Sequence, residues 1–323
     1  MTVEVTFEAV TPDHPDAETL MALLDAELDE IYGDLLDGTT ALSAEVRSSF
    51  DGTLDPDLKA DFDGVFLVAR RSGIPVACGG MLFLDEATGE VRRVYARPEE
   101  RGRGVARELM AELERAASER GCSRILLETA IRQPRAMRFY EALGYTRVPP
   151  YGKHVGNPWS VCYEKRILPA GITFERTTPD DPEVAALLAA YEKEFLSLNT
   201  VEESGWTGGA VHQHLAAMLL VRRNGDPVGC GALRIHDAVT AELKRMYVVP
   251  GERGRGIATE LVARLEQMAV ERGASRMVLD TSYRMTSAVR LYERLGYVRT
   301  EPFPRHNSGA GMPALLYFEK RLR

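Results

Sequence analysis

The segment Glu100-Arg101-Gly102-Arg103-Gly104-Val105-Ala106 governs how the rest of this 323-residue chain is read. It returns 152 residues later as Glu252-Arg253-Gly254-Arg255-Gly256-Ile257-Ala258. At that offset residues 90–147 lie over residues 242–299 without a gap, and 32 of the 58 positions are identical. A period this long exceeds a solenoid unit and marks a duplicated whole domain. Nearer the start, Phe7-Glu8 and Thr11-Pro12-Asp13 match Phe174-Glu175 and Thr178-Pro179-Asp180 at an offset of 167. The first copy therefore carries 15 residues more between its first helix and its second strand. Two domains follow, 1–168 and 172–323, as the length also suggests. The join, Leu168-Pro169-Ala170-Gly171, is so short that the halves are expected to pack together.

Periodicity supplies the elements. Residues 4–10 alternate like a strand, and residues 16–32 place Leu20, Leu24, Leu28 and Ile31 at helical spacing. The apolar runs 65–70 and 74–84 flank Arg71-Ser72-Gly73, a hairpin signal. A strand at 89–97 leads through the glycine segment into a helix at 103–120, with Val105, Leu109, Leu113 and Ala117 on one stripe and Gly121 to end it. A strand (123–129), a helix (134–143), a short strand (145–148) and a closing strand (160–166) complete the first half. The second half repeats the plan. Each half reads as mixed α/β: a meander, a βαβ unit and a closing strand.

Composition narrows the function. Net charge is −8, against the basic balance of a nucleic-acid binder. No apolar run approaches a membrane span, and Met1-Thr2-Val3-Glu4 does not open a secretory signal, so neither nucleic acid nor membrane is expected as a partner and the cytoplasm is the expected compartment. Cys78, Cys122, Cys162 and Cys230 form no CxxC pair, and six scattered histidines show no metal-ligand spacing. No metal is expected. Cys78 and Cys230 sit in apolar strand runs as small core residues.

The glycine segments carry the chemistry. Each lies between a strand and a long helix, whose first N–H groups are unpaired and whose dipole is positive at that end. Glycine lets the backbone approach a bound anion, and the arginines add charge. The pattern fits either a phosphate cradle or a tight turn. A dinucleotide fingerprint is disfavoured, because its third glycine would fall at Arg107 or Thr259, and a nucleotide P-loop lacks its GK[ST] ending.

Arg-x-x-Gly-x-Ala at the head of this helix resembles the acetyl-CoA pyrophosphate signature of the GNAT N-acetyltransferase superfamily. A second hallmark, Ala136-Met137-Arg138-Phe139-Tyr140-Glu141-Ala142-Leu143-Gly144-Tyr145, recurs as Ala288-Val289-Arg290-Leu291-Tyr292-Glu293-Arg294-Leu295-Gly296-Tyr297. The resemblance covers essentially both halves. It implies two tandem domains, each a mixed, mostly antiparallel sheet of six or seven strands flanked by helices. It also implies acetyl transfer from acetyl-CoA to an amine, with Arg101 to Ala106 and Arg253 to Ala258 around the pyrophosphate. Backbone groups of Val94-Tyr95-Ala96 and Met246-Tyr247-Val248 would line the pantetheine arm.

Glu90 and Glu242 stand eleven residues before the motif arginine, where histone-acetylating members carry their general base. A carboxylate on a half-buried strand can accept the ammonium proton directly or through water. The alternative is a carboxylate paired with Arg92 or Lys244, two residues on and on the same face. Tyr140 and Tyr292 match the tyrosine that protonates the departing thiolate; the alternative is a packed core tyrosine. A family asparagine seven residues earlier is here Gln133 and Met285.

On the acceptor side, residues 38–63 hold Glu45, Asp51, Asp55, Asp57, Asp61 and Asp63 against Arg47 and Lys59: a rim for a cationic amine, or a solvated loop. The second half has Glu202, Glu203 and Trp206 there, and the tails diverge (Tyr151 and Trp159 against Phe303 and His306). Arg132 and Arg284 precede the second motif and offer charge to an acceptor carboxylate or to phosphate. Three readings follow: an acetyltransferase for a small-molecule primary amine; one for a protein lysine or N-terminus; or a chain with one catalytic and one acetyl-CoA-binding half. A mycothiol-synthase-like arrangement is disfavoured, because these halves resemble each other so strongly.

Overall fold

The computed structural model describes residues 4–36, 62–200, 215–303 and 314–322. The chain divides into two compact units, Met1–Ala170 and Gly171–Arg323.

The first unit runs β1 (Val5–Val10), α1 (Pro15–Leu36), β2 (Gly64–Arg71), β3 (Ile74–Phe83), β4 (Thr88–Ala96), α2 (Val105–Arg120), β5 (Arg124–Ala130), α3 (Pro134–Ala142), β6 (Thr146–Val148) and β7 (Ser160–Arg166). The second repeats it as β8 (Ile172–Thr177), α4 (Pro182–Leu198), β9 (Leu215–Arg223), β10 (Asp226–Ile235), β11 (Thr240–Val248), α5 (Ile257–Val270), β12 (Arg276–Ser282), α6 (Thr286–Arg294), β13 (Val298–Arg299) and β14 (Leu315–Arg321). Each forms a seven-stranded sheet, in the order β1-β2-β3-β4-β5-β7-β6 and, written from the opposite edge, β13-β14-β12-β11-β10-β9-β8. Every pairing is antiparallel except β4–β5 and β11–β12. Parallel neighbours need a crossover, and α2 and α5 supply it.

The hairpin turns have φ of 53° and 80° at Ser72-Gly73 and 52° and 95° at Asn224-Gly225. Positive φ at both central residues belongs to the I′ turn, whose twist matches the strands it joins. The helix expected from residue 16 runs to Leu36, one turn further than its apolar spacing indicates.

Each sheet is covered on both faces. On one face of the first, Val105, Leu109, Leu113 and Ala117 of α2 are at most 1% exposed and pack on Ala69, Met81, Val91 and Leu127. Burying such a side chain stabilises by roughly 1.5–3 kcal/mol each. On the other face, Ala17, Leu20 and Met21 of α1 pack on Phe66, Val68, Cys78 and Tyr95. The alternation along β4 thus sends Val91 to α2 and Glu90 and Arg92 to the α1 side. The second unit repeats both layers.

Candidate active site

The parallel pair opens in the middle. β4 and β5 pair from Thr88–Arg124 to Val91–Leu127, yet β4 continues to Ala96 and β5 to Ala130. In the second unit β11 and β12 pair only from Thr240–Arg276 to Glu242–Val278. At the same point the β3–β4 register slips, and Arg93 takes φ 55°; the β10–β11 register slips likewise, and Arg245 takes φ 55°. A bulge bends its strand and adds twist, so β4 and β11 turn from their parallel neighbours and leave a gap. The Cys78 and Cys230 thiols point at the Arg93 and Arg245 carbonyls at 3.7 and 3.6 Å. Burial pushes both thiols up to about 12, so they are inert core groups.

Val94, Tyr95 and Ala96 lie on the bent stretch. Their side chains belong to the cores, Val94 and Ala96 toward α2 and Tyr95 toward α1. Met246 and Val248 pack toward α5, and Tyr247 packs toward α4. Beyond the last ladder pair only their backbone edge faces the gap, and unpaired backbone groups need a partner.

The glycine segments close that gap at its end. Gly102 (φ 77°) and Gly104 (φ 91°) are left-handed, as are Gly254 (81°) and Gly256 (78°). A side chain in that conformation costs roughly 1–2 kcal/mol. Gly104 and Gly256 are the N-caps of α2 and α5, and neither helix has a side-chain cap. By contrast, Asp181 caps α4 by accepting from the Glu183 N–H at 2.9 Å. The first-turn amides of α2 and α5 are thus left for an anion. A side chain at Gly102 or Gly254 would meet nothing within 4 Å, so conformation and not crowding demands glycine there. Val105 and Ile257 turn into the cores at 1% exposure, while Ala106 and Ala258 are half-buried against them.

The motif arginines divide their work. Arg101 Nε donates to the Ala96 carbonyl at 2.9 Å, a terminal nitrogen binds Glu27 of α1, and the guanidinium lies 5.6 Å from the Tyr95 ring centroid. Arg253 does the same with the Val248 carbonyl (2.8 Å), Glu194 and the Tyr247 ring. These arginines brace the loop against the preceding strand and helix. Arg103 is exposed and reaches Glu100 only at 3.7 Å, so its charge is available to a phosphate. Arg255 lies 3.5 Å from Glu252.

Glu90 is 3% exposed and Glu242 is fully buried. Arg92 donates to Glu90 Oε2 at 2.8 Å, the Tyr151 hydroxyl donates to Oε1 at 2.8 Å, and His154 Nε2 lies 3.8 Å away. Lys244 Nζ sits 2.7 Å from Glu242 Oε1, with His236 Nε2 at 2.9 Å and Arg234 at 3.6 Å from Oε2. The ion pair that stands as the alternative to catalysis is present in both halves. Charges so placed are held by partners, as buried charges must be. Tyr151, His154 and His236 carry no signal of this role in the sequence; Tyr151 and His154 reach Glu90 from 61 and 64 positions away.

Tyr140 and Tyr292 sit in the cores beside α2 and α5, at 8% and 6% exposure. Tyr140 packs against the rings of Phe139, Tyr145 and Tyr163. Burial first, then the Glu128 charge, raises the Tyr140 phenol well above the usual tyrosine range; burial, then Tyr191 and Asp280, does so for Tyr292. Neither hydroxyl makes a hydrogen bond among the described residues. A tyrosine placed only for packing usually satisfies its hydroxyl.

Arg132 and Arg284 are braces. Arg132 donates to the Ile31 carbonyl at 3.3 Å and lies over the rings of Tyr32 and Trp159; Arg284 donates to the Leu198 carbonyl at 2.9 Å. They tie the loops after β5 and β12 to α1 and α4. Gln133 accepts from the Thr129 hydroxyl at 2.6 Å. Of the acidic rim, Asp63 pairs with Arg120 at 3.1 Å, while Glu45 to Asp61, Glu202, Glu203, Trp206 and His306 lie outside the described residues. No group of three or more potential metal ligands occurs among the described residues, and no described helix is long and apolar enough to cross a membrane.

Residues 29–145 and 182–297 each match the acetyltransferase (GNAT) family. An IAA acetyltransferase of Azospirillum brasilense is 31% identical over 157 residues, 48% of this chain and 95% of that protein. A mycothiol acetyltransferase of Thermobispora bispora is 26% identical over 233 residues, 68% of this chain and 76% of that protein. Among solved structures, the PaiA N-acetyltransferase of Thermoplasma acidophilum in complex with coenzyme A is 17% identical, with a TM-score of 0.38 over 51% of this chain and 99% of that one. The chain belongs to the GNAT acetyltransferase family, carries two GNAT domains and is an acyltransferase.

Proposed function

We propose that the protein transfers the acetyl group of acetyl-CoA to the primary amine of a small molecule. The observation that carries this is the double occurrence of one arrangement. A parallel strand pair parts beside a helix whose first-turn amides have no side-chain cap, and a buried glutamate stands at the parting point.

Acetyl-CoA supplies the reactive acetyl thioester. The amides at the heads of α2 and α5, with Arg103 and Arg255, would hold its pyrophosphate. The bent backbone of residues 94–96 and 246–248 would bind its arm. Residues Arg101, Gly102, Gly104 and Ala106, with Arg253, Gly254, Gly256 and Ala258, give these loops their shape. An amine attacks only after losing its ammonium proton. Glu90 and Glu242 stand at the edge of the gap as acceptors of that proton, directly or through water. The nitrogen–carbon bond then forms as the carbon–sulfur bond breaks. Tyr140 and Tyr292 keep their protons at neutral pH, because burial disfavours the phenolate, and stand as donors to the departing sulfur.

A small acceptor is favoured by enclosure: in the first half Tyr151 and His154 cover Glu90, and His154 is itself 7% exposed. The second reading, a protein lysine or N-terminus, needs an open groove beside the same glutamates.

Calorimetric titration of acetyl-CoA into the whole chain tests the reading, followed by thiol-release assays on a panel of small primary amines and of lysine peptides. Two equivalents per chain and turnover of small amines are expected. No bound acetyl-CoA would overturn the proposal, and turnover of peptides alone would replace it with the second reading. One equivalent would reduce one half to a scaffold.

A further inference from the structure

Glu128 is the first residue of β5 beyond the last β4–β5 pair, Val91–Leu127. Its cross-strand partner is Cys162, and it lies on the face that carries Glu90 and Arg92. Its carboxylate makes no ion pair and no hydrogen bond among the described residues, although it is half-buried. Its neighbour Glu90 has Arg92 and Tyr151. The cation whose charge acts on it is that of Arg92, which already holds Glu90, so in the first half two carboxylates share one guanidinium and one negative charge is left over.

The surroundings point to a ligand. Glu128 is close enough to Tyr32 and Tyr151 for its charge to add to the burial that raises both phenols, Tyr32 to about 12. Two further polar atoms on the covering loop and on β7, His154 Nδ1 and Ser160 Oγ, are buried without a hydrogen-bond partner. His154 is more than nine-tenths buried, and its other ring nitrogen lies 3.8 Å from Glu90. Aromatic walls, a carboxylate that shares its cation and idle buried hydrogen-bonding atoms suit an ammonium group carried on a flat or apolar body.

The second half closes the same position. Asp280 stands where Glu128 does, and Lys244 Nζ lies 3.0 Å from Asp280 Oδ1 while holding Glu242 at 2.7 Å. Lys244 replaces Arg92, which binds Oε2 of Glu90. A compact ammonium sits within ion-pair distance of both carboxylates there, and Arg234 and His236 add charge beside them. Arg234 and His236 stand beside Glu242 where the first half has Leu82 and Leu84.

We infer that Glu128 binds the ammonium of a cationic primary amine in the N-terminal half, and that Lys244 fills the equivalent position in the C-terminal half. The inference rests on the acetyltransferase reading and supplies its acceptor class: amines without a carboxylate, accepted by the first half. Arg132 is held by the Ile31 carbonyl and two rings.

The test uses the full chain saturated with acetyl-CoA. The probes are 2-phenylethylamine and phenylalanine, which share ring and amine and differ by one carboxylate. Binding is read by calorimetry and turnover by thiol release, for wild type, Glu128→Gln and Asp280→Asn. The wild type is expected to favour 2-phenylethylamine at least tenfold. Losing a charge-assisted hydrogen bond should weaken its binding and raise its KM about tenfold or more in Glu128→Gln. The KM for acetyl-CoA should stay within twofold, and Asp280→Asn should leave the probe's constants within twofold. Glu128→Asp, which keeps the charge, should recover part of the loss. An unchanged Glu128→Gln, a larger loss in Asp280→Asn, or binding of neither probe while two acetyl-CoA remain bound would each overturn the inference. Failure of the wild type to bind acetyl-CoA would instead overturn the underlying function.

Discussion

Replacing Gly104 by aspartate attacks the N-terminus of α2 in a way whose size can be worked from the structure. Gly104 has φ 91°, so any side chain there costs roughly 1–2 kcal/mol of folding stability. Its Cβ would lie 3.5 Å from Glu108 Oε1, an ordinary contact, so crowding adds little. Gly104→Ala carries this conformational cost alone. Gly104→Asp also places a carboxylate where α2 leaves its amides uncapped, and it accepts bonds from those amides in competition with a ligand. At about 5 Å from a phosphate, an effective dielectric between 20 and 80 gives repulsion of roughly 1–3 kcal/mol per charge. Affinity at that site should therefore fall roughly 5- to 150-fold. Calorimetric titration of acetyl-CoA should show two equivalents in wild type and in Gly104→Ala, the latter within about threefold in affinity. Gly104→Asp should show one unchanged equivalent and one weakened, with the weakening relieved by salt. Two unchanged equivalents in Gly104→Asp would refute the phosphate cradle; equal losses in both variants would assign the glycine to backbone conformation alone.

Three further outcomes are expected. Lys244→Met leaves the fully buried Glu242 and its neighbour Asp280 without their shared cation, and should cost about 3–5 kcal/mol in denaturant unfolding; a loss below about 1 kcal/mol would show that Arg234 and His236 suffice. Cys78 and Cys230 titrate near 12 in the folded chain against 9.0 unfolded. Between those values the native state holds protons the unfolded state has lost, so stability is intact below pH 9 and falls as pH rises, by about 2.7 kcal/mol per pH unit for the pair; flat stability from pH 9 to 11 in Cys78→Ala/Cys230→Ala and in wild type alike would contradict this. Tyr140→Phe and Tyr292→Phe should lower kcat at least tenfold in whichever half turns over, without changing acetyl-CoA affinity; full activity in both single variants and the double variant would return these tyrosines to a packing role.

The order of amino acids alone discloses what depends on near neighbours. The duplication, the hairpin signal at Arg71-Ser72-Gly73, the apolar stripe Val105-Leu109-Leu113-Ala117 and the glycines at the heads of α2 and α5 follow from spacing and from the freedom of glycine, both local properties. The family, the expectation of six or seven strands and the choice of Glu90 and Glu242 eleven residues before the motif arginine rest on those same motifs. The folded chain decides which charges meet. Arg101 and Arg253 read as phosphate ligands in the motif, but Glu27 and Glu194, 74 and 59 positions away, claim them. Tyr151 and His154 reach Glu90, and Lys244 takes both Glu242 and Asp280, because the bulge at Arg93 and its copy at Arg245 bend β4 and β11 away from their parallel partners. Coulomb energy and hydrogen bonding act through space, over a few ångströms, so two halves with nearly the same motifs come to differ at one carboxylate, held by lysine in one and left for an amine in the other.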